Sequence, residues 1–470
     1  MSTGQPARTV VVVGAGIGGL AAAFDLCRAG ASVTVVDPAD RPGGKLRTTA
    51  FAGIDVDESA DMFLARVPGA LELCHDLGLA EELISPAIGV AAVVHEGTLR
   101  RLPEGLLLGV PTDLEAVAAS GLLSEAGLRA VAADLARPEG PPAAGDPALD
   151  GDVAVGELVR GRIGDEAFDV FVDPLLSGVN AGRADELSAE LGAAQLLAAA
   201  RRDASLVRGA RALVPAPQPG ATRPPVFHAV PGGMGRLVAA LVDALDGADL
   251  RLGTAVASLA PGPDGGWRVH TDDGAALDAD AVVLATPAPV TAALLAELAP
   301  TVAAGLSGLR YASVGVVALA YEAAAVPVAL DYSGFLVPRR AGRLLTACSW
   351  ASAKWPHLGA DGLVRLRASV GRSDDERFVA MSDTELLAAV RAELAELMGI
   401  EAEPVAWRVH RWLHALPQYR PGHREQVDRW EAELAERAPG LVLAGASLRG
   451  LGIPACITSG RRAATRLLGG

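Results

Sequence analysis

The sequence is poor in the residues that define several protein classes. Only four of its 470 residues are cysteine, and Cys27, Cys74, Cys348 and Cys456 lie far apart without a C-x-x-C pair. This spacing predicts four reduced thiols in a cytoplasmic protein rather than a disulfide framework. The eight histidines show no H-x-x-x-H or H-E-x-x-H spacing. We therefore expect no metal site.

Long apolar runs and an excess of basic charge are also missing. Half of the residues are hydrophobic, but only 4% are aromatic, and we find no run of about 18 apolar residues free of charge and proline. A transmembrane helix is therefore not expected, and the start MSTGQPART lacks the basic and apolar regions of a signal peptide. The net charge of −15 opposes binding to nucleic acid and tight docking to anionic lipid. The length suits a globular protein with two or three domains' worth of core.

A βαβ unit at the start of the chain carries the strongest motif. The β-branched run Val10–Val13 predicts a strand buried on both faces, and the glycine-rich segment Gly14–Gly19 follows it. Leu20–Ala29 reads as a helix, and Ser32–Val36 reads as a second strand that closes on Asp37. In such a unit the glycines allow a tight turn, a close backbone approach to a pyrophosphate and close packing of helix and strand. The pattern predicts a dinucleotide site at Gly14, Ala15, Gly16, Ile17, Gly18, Gly19 and Asp37, with Asp37 accepting hydrogen bonds from the adenosine ribose.

A second basic and glycine-rich segment, Arg41–Thr48 (RPGGKLRT), follows this acid within a few residues. Another glycine pair so close to Asp37 suits a backbone that wraps the far side of the same cofactor. We predict that Gly43, Gly44 and Lys45 contact the cofactor, with Lys45 and Arg47 placed to neutralise its phosphates.

The remaining chain alternates between loops and further α/β segments. Arg137–Asp150 and Pro215–Pro225 are rich in Pro, Gly and Ala and predict exposed loops that bracket part of an inserted domain, with a helical stretch between them. The other expected elements are a helix after Pro231, strands at Trp267–Thr271, Ala281–Ala285, Val314–Ala320, Leu363–Val370 and Leu441–Ala444, and a last helix from about Thr458.

Three of these segments resemble the FAD-binding regions of the flavin amine oxidase and phytoene desaturase superfamily. They are the N-terminal stretch through RPGGKLRT, the stretch from Thr254 to Pro289, and the C-terminal stretch from Leu443 to Ala464. The resemblance implies an FAD enzyme and adds further candidate cofactor contacts. These are Ala60, Asp61, Met62, Val256, Gly445, Leu451, Gly452 and Ile453.

Within that superfamily, the chain most resembles the porphyrinogen oxidases. Asp173–Gly182 (DPLLSGVNAG) and Ser333–Pro338 (SGFLVP) resemble segments of that group. Leu416–His423 (LPQYRPGH) and Gly452–Gly460 (GIPACITSG) match its more specific segments, which amine oxidases lack. The sequence departs from the group's pattern at Asn180, at Arg183 and in the segment Glu58–Phe63.

The resemblance implies an α/β fold with a discontinuous Rossmann-like FAD-binding domain and an inserted α+β substrate domain that contains a helical subdomain. We expect the FAD-binding domain in residues 1–95, 226–300 and 425–470. The substrate domain would then cover residues 96–225 and 301–424, with its helical part in about 105–212.

The implied reaction is the oxidation of coproporphyrinogen III to coproporphyrin III in haem synthesis, with dioxygen as acceptor and hydrogen peroxide released. Oxidation of protoporphyrinogen IX is the alternative, and an amine oxidase, a carotenoid desaturase or a flavin-bearing scaffold without turnover are further alternatives. Because the flavin supplies the chemistry, we assign no certain catalytic side chain. The expected substrate pocket contains Arg66, Asn180, Phe335, Leu336, Gln418 and Tyr419, with Arg339 and Arg340 as further carboxylate partners. The sequence leaves open the oligomeric state, peripheral contact with the inner face of the membrane, and hand-off of the product to a ferrochelatase.

Overall fold

The computed structural model describes residues 8–149, 151–214, 225–262 and 265–469. Two compact units divide the chain. The first contains Met1–Ser85, Pro225–Leu309 and Arg424–Gly470, and the second contains Pro86–Pro224 and Arg310–His423. Each unit is therefore assembled from separate segments of the chain.

The strands of the described residues are, in chain order, β1 (Thr9–Val13), β2 (Ser32–Asp37), β3 (Thr48–Phe51), β4 (Ile54–Asp57), β5 (Phe63–Leu64), β6 (Ala92–His95), β7 (Thr98–Arg101), β8 (Leu106–Leu107), β9 (Val110–Pro111), β10 (Phe227–His228), β11 (Asp249–Leu252), β12 (Val256–Pro261), β13 (Trp267–Thr271), β14 (Ala276–Ala279), β15 (Ala281–Leu284), β16 (Tyr311–Glu322), β17 (Gly334–Leu336), β18 (Leu345–Trp350), β19 (Leu363–Val370), β20 (Ala406–Pro417) and β21 (Leu441–Leu443).

The α-helices are α1 (Ile17–Arg28), α2 (Pro68–Asp76), α3 (Leu114–Ser120), α4 (Glu125–Leu135), α5 (Val155–Ile163), α6 (Asp165–Ala167), α7 (Asp173–Asn180), α8 (Ala189–Gly192), α9 (Ala194–Arg202), α10 (Leu206–Leu213), α11 (Met234–Asp243), α12 (Ala288–Leu295), α13 (Pro300–Ser307), α14 (Ala351–Lys354), α15 (Asp383–Met398), α16 (His423–Arg437) and α17 (Ile453–Leu468). None of these described helices is both long and apolar enough to cross a membrane.

A parallel five-stranded sheet in the order β11-β2-β1-β15-β21 forms the centre of the first unit. Val10–Val13 are all buried, as a strand covered on both faces requires. Val10 and Val12 join a core with Leu20 of α1 and Ile457 of α17. The predicted βαβ unit is therefore confirmed, with α1 beginning at Ile17.

The sheet of the second unit has seven strands in the order β20-β16-β19-β18-β17-β6-β7. Its pairs are antiparallel except for the parallel pair of β17 and β6. One face packs on α15, which contributes Leu386, Val390 and Leu394 to a core with Phe335 of β17. A separate apolar core joins the helical segment from α4 to α10, with Phe168 and Val207 fully buried.

Some of the expected boundaries differ from those in the structure. Residues 86–95 were expected in the first domain, but β6 pairs with β17 and therefore belongs to the second unit. The last helix begins at Ile453 rather than near Thr458, because Gly452 takes an extended conformation and Pro454 is tolerated in a first helical turn. Residues 137–149 contain a short turn of 3-10 helix, whereas the expected loop at 215–224 lies outside the described residues.

Candidate cofactor and substrate sites

The glycine-rich turn after β1 borders open space in the first unit. Gly14 has a φ of +107°, and a Cβ there would lie 2.8 Å from the Ala285 carbonyl oxygen. A Cβ on Gly19 would lie 1.9 Å from the Gly14 oxygen, so helix and strand pack as closely as the motif predicts. A Cβ on Gly16, in contrast, would find no atom within 4 Å. The backbone at Gly16 therefore borders free space, directly at the start of α1.

Asp37 connects this turn to the end of β2. Its Oδ2 accepts a hydrogen bond of 2.6 Å from the Ala15 amide, and its Oδ1 accepts one of 2.8 Å from the Ala39 amide. An ionised carboxylate has about four acceptor positions, so two amide donors leave room for ribose hydroxyls. The Thr254 amide donates to the Asp37 carbonyl, which brings the chain leading to Val256 beside the same residue.

The second glycine segment lies against the first. Gly43 forms a bridge with Gly16, and its amide donates to the Ala15 carbonyl at 2.8 Å. A Cβ on Gly44 would lie 3.1 Å from the Gly16 Cα, so a larger residue would crowd the turn. The segment of Ala60, Asp61 and Met62 is held nearby, because the Ser59 hydroxyl donates to the Lys45 carbonyl at 2.5 Å.

Lys45 adds a cation to the second glycine segment, and no anionic side chain among the described residues pairs with it. Among the described residues, no hydrogen bond or ion pair of its ammonium is found. Burial lowers the pKa of Lys45 below its ordinary value. A bound anion would reverse that shift, because it favours the charged form.

The C-terminal segment meets the same turn from the other side. The Ser459 hydroxyl accepts a hydrogen bond from the Gly445 amide at 3.0 Å, and a Cβ on Gly18 would lie 3.0 Å from the Cys456 carbonyl oxygen. A Cβ on Gly460 would lie 1.9 Å from the Gly18 oxygen. The first turn of α1 therefore contacts α17 at two places, near Cys456 in the first turn of α17 and at Gly460 in its middle. Two helix N-termini that converge in this way favour bound negative charge.

An ion-pair cluster that the sequence did not reveal holds the turn before α17. Glu431 of α16 is nearly buried, and its carboxylate binds Arg449 and Arg466 at 2.6 Å. Burial opposes ionisation, but these hydrogen bonds outweigh it and hold the pKa of Glu431 below its ordinary value. Arg449 lies two residues before Leu451, so the cluster helps to fix the position of the segment of Leu451, Gly452 and Ile453.

The expected substrate-pocket residues lie in different local environments. Phe335 is 2% exposed and packs in the core beneath α15, so its expected place in the pocket is wrong. Leu336 points to the other face, because side chains alternate along a strand. Tyr419 is also buried, with its ring 4.9 Å from that of His423, so it does not line an open slot. Arg66 lies in the first unit, and burial lowers its pKa.

Asn180 and Gln418 form a small polar arrangement in the second unit. The Asn180 side chain donates to the Leu176 carbonyl and so bonds within α7. The Gln418 amide donates to the carbonyls of Asn180 and Leu416 at 2.8 and 2.9 Å. These bonds fix the orientation of the Gln418 side chain and tie the end of β20 to the end of α7.

The expected role of Arg339 as a carboxylate partner does not fit its contacts. Its guanidinium lies 3.4 Å from Asp173, pairs with Asp374, and donates to the Gly182 carbonyl. Burial raises the pKa of Asp173 against the opposing effect of Arg339. Because three protein groups already hold Arg339, it stabilises the turn after α7. Arg340 contacts His95 Nδ1 at 3.1 Å.

Comparison with known proteins decides the family. The model of the flavin-containing amine oxidoreductases matches residues 17–468. The chain belongs to this family. It is 33% identical to the coproporphyrinogen III oxidase of Bacillus subtilis, over 100% of this chain and 99% of that protein. It is 36% identical to the coproporphyrinogen III oxidase of Mycobacterium bovis, over 98% and 97% of the two chains. The predicted resemblance to porphyrinogen oxidases is confirmed.

Solved structures of the family support the same fold. A provisionally named protoporphyrinogen oxidase from Exiguobacterium sp. 255-15 superposes with a TM-score of 0.88, at 30% identity and with 99% of each chain covered. Putrescine oxidase is 19% identical and superposes with a TM-score of 0.69 over 98% of this chain and 99% of that one. At that identity the likeness shows the fold alone.

FAD is the cofactor of this flavoprotein family, and the first unit fits it. The open space at Gly16, the two helix N-termini and the Lys45 ammonium suit a pyrophosphate, and Asp37 suits a ribose. The nearby Cys456 thiol is no candidate nucleophile, because burial raises its pKa to about 11 and keeps it protonated at neutral pH.

Proposed function

We propose that the protein oxidises coproporphyrinogen III to coproporphyrin III, as an oxidoreductase acting on CH–CH groups with dioxygen as acceptor. The observation that carries this proposal is the full-length match, at 33–36% identity, to proteins named coproporphyrinogen III oxidase. The product would pass to a ferrochelatase in the cytoplasm. The first unit would bind FAD and the second would bind the substrate.

The residues of the first unit indicate what the cofactor would do and what the protein would do. Bound FAD would supply the redox chemistry of the reaction, with dioxygen as the proposed final acceptor. Gly16 would leave room for the pyrophosphate, Gly44 allows the chain to pass close to Gly16, and Lys45 would balance the pyrophosphate charge. The N-terminus of α17, placed by the Arg449–Glu431 ion pair, would stabilise negative charge on a bound cofactor. Six electrons leave the macrocycle in three two-electron steps, so each product molecule accounts for three molecules each of dioxygen consumed and peroxide released.

Oxidation of protoporphyrinogen IX is the second candidate. The chain is 31% identical to the protoporphyrinogen oxidase of Bos taurus over 98% of both chains. Protoporphyrinogen carries two carboxylates and coproporphyrinogen carries four, so the two candidates differ in the number of cations that the site must supply.

Aerobic turnover of each porphyrinogen by the purified yellow protein tests the proposal. Porphyrin fluorescence and hydrogen peroxide are followed together, with heat-treated protein as the blank for autoxidation and an oxygen-free sample as the test of the acceptor. We expect faster formation of coproporphyrin, about one peroxide for each two electrons, and no sustained turnover without oxygen. Faster turnover of protoporphyrinogen would favour the second candidate. No fluorescence above the blank with either substrate would contradict both and redirect the search to amines and polyenes.

A further inference from the structure

Arg41 makes its hydrogen bonds to the backbone of the segment that directly follows it. Its guanidinium donates to the carbonyl oxygens of Pro42 at 3.1 Å, Gly44 at 2.7 Å and Leu46 at 3.2 Å. Among the described residues it forms no ion pair, although the chain has more acidic than basic residues. Because a charged donor strengthens a hydrogen bond, these three bonds hold residues 42–46 around one half-buried side chain.

These bonds set the direction of the peptide groups in the segment. In a trans peptide, a carbonyl and the amide that follows it point in opposite directions. The Pro42 carbonyl faces Arg41. The Gly43 amide, on the opposite side of the same peptide, donates to the Ala15 carbonyl in the first glycine turn at 2.8 Å. The side of the segment that faces away from Arg41 is therefore the side of the first glycine turn.

The peptide that joins Gly44 and Lys45 has the same orientation, but its amide is open. Its carbonyl oxygen accepts the shortest of the three bonds from Arg41, so the Lys45 amide points away from that side chain. In the described parts of the chain, neither this amide nor the Lys45 ammonium has a hydrogen-bond partner. Burial raises the pKa of the Cys456 thiol and the Lys45 ammonium opposes that shift, so the ammonium lies near the first turn of α17.

We propose that Arg41 is a positioning residue, which holds the second glycine segment as an anion-binding loop for the FAD phosphates. This inference rests on the cofactor placement of the proposed function, and Arg41 acts through the segment. Gly43 and Gly44 have φ values of +100° and +57°, and backbone amides in such turns form concave anion sites. A guanidinium suits the role because its five donors form a fixed fork, whereas an ammonium is a compact point charge. Without the fork the peptides are free to turn, and a carbonyl oxygen that faces a phosphate repels it.

Release of FAD from the diluted holoenzyme tests this role, because the fluorescence of free FAD gives the Kd. Arg41→Gln should raise the Kd about ten-fold or more, since several charge-assisted hydrogen bonds are lost. Arg41→Lys should restore little of the affinity, because an ammonium lacks the fork that spans the carbonyls. Arg201→Gln is the matched control: the Arg201 guanidinium also donates to two backbone carbonyls, of Ala148 and Gly151, but in the second unit. Its Kd should equal that of the wild type.

A double-mutant cycle with Lys45 separates positioning of the segment from simple stabilisation of the fold. Lys45→Gln should weaken FAD binding about ten-fold in the wild-type chain but less than about three-fold in the Arg41→Gln chain, where the segment is already misplaced. Equal losses in both chains, or full rescue by Arg41→Lys, would overturn the inference.

Turnover of porphyrinogen at saturating FAD is read separately. Wild-type FAD affinity in Arg41→Gln, together with normal wild-type turnover, would overturn the inference and keep the proposed function. The expected pattern of Kd values in a wild-type protein that oxidises no porphyrinogen would keep the inference and overturn the function.

Discussion

Replacing Gly16 by alanine should separate cofactor binding from folding. Gly16 has φ −69° and ψ 169°, a conformation that alanine adopts without strain. A Cβ there would contact no atom within 4 Å, so the protein itself offers no clash. The added methyl group would instead occupy the space that we assign to the FAD pyrophosphate. The apoprotein should therefore fold normally and bind FAD poorly.

The magnitudes follow from two opposing effects on the apoprotein. Alanine restricts the unfolded chain and stabilises the fold by about 0.4–1 kcal/mol. Gly16 is also the N-cap of α1, where alanine is worse than glycine by roughly 0.5–1 kcal/mol. These two contributions to the free energy of unfolding of the apoprotein nearly cancel. FAD at a hundred times its Kd stabilises wild-type protein by about 2.7 kcal/mol, and a hundred-fold weaker affinity would reduce that to about 0.4 kcal/mol.

Titration of the apoprotein with FAD, combined with urea unfolding with and without FAD, measures both quantities. Gly161→Ala is the matched control, since Gly161 of α5 is also free of neighbours within 4 Å but lies in the second unit. It should bind FAD like wild type and gain up to about 1 kcal/mol of stability. Unchanged FAD affinity in Gly16→Ala would refute our placement of the pyrophosphate, and an unfolded apoprotein would refute the claim that the space is free.

Three further substitutions test the packing and the ion pairs. Gly460→Ala places a methyl group 1.9 Å from the Gly18 oxygen. Urea unfolding of the holoprotein should therefore show a free energy of unfolding lower by about 1–3 kcal/mol. Wild-type stability would show that α1 and α17 can move apart without cost. Because hydrogen bonds from Arg449 hold the pKa of Glu431 below its ordinary 4.5, this carboxylate should stabilise the fold above about pH 4.5 and lose that effect as the pH falls through its folded-state pKa. Glu431→Gln should therefore lower stability at pH 7 and flatten its acid dependence, and identical pH profiles would contradict this. Phe335→Ala should cost about 3–5 kcal/mol in chemical unfolding, whereas a small cost would place Phe335 outside the core.

Local sequence patterns were sufficient to predict the βαβ unit and the glycine-rich turn of the first unit. The β-branched run before Gly14, the glycines and Asp37 all lie within one βαβ unit, where sequence spacing fixes geometry almost directly. The glycine pair at Gly43 and Gly44 lies against the same turn, and its contact with the cofactor stays a prediction. Helix starts were less certain, because Pro454 and Gly452 are compatible with several boundaries.

The sequence alone thus determined the α/β fold of the first unit, its glycine cradle and the family. Only the tertiary structure decided which side chains share a face in the second unit. Neighbouring residues such as Phe335 and Leu336 point to opposite faces, and strand register decides which one is buried. Arg367 and Arg408 lie far apart in the chain and become neighbours only because β16 pairs with both of their strands. Such non-local pairing depends on how whole strands align, and no local spacing rule encodes it.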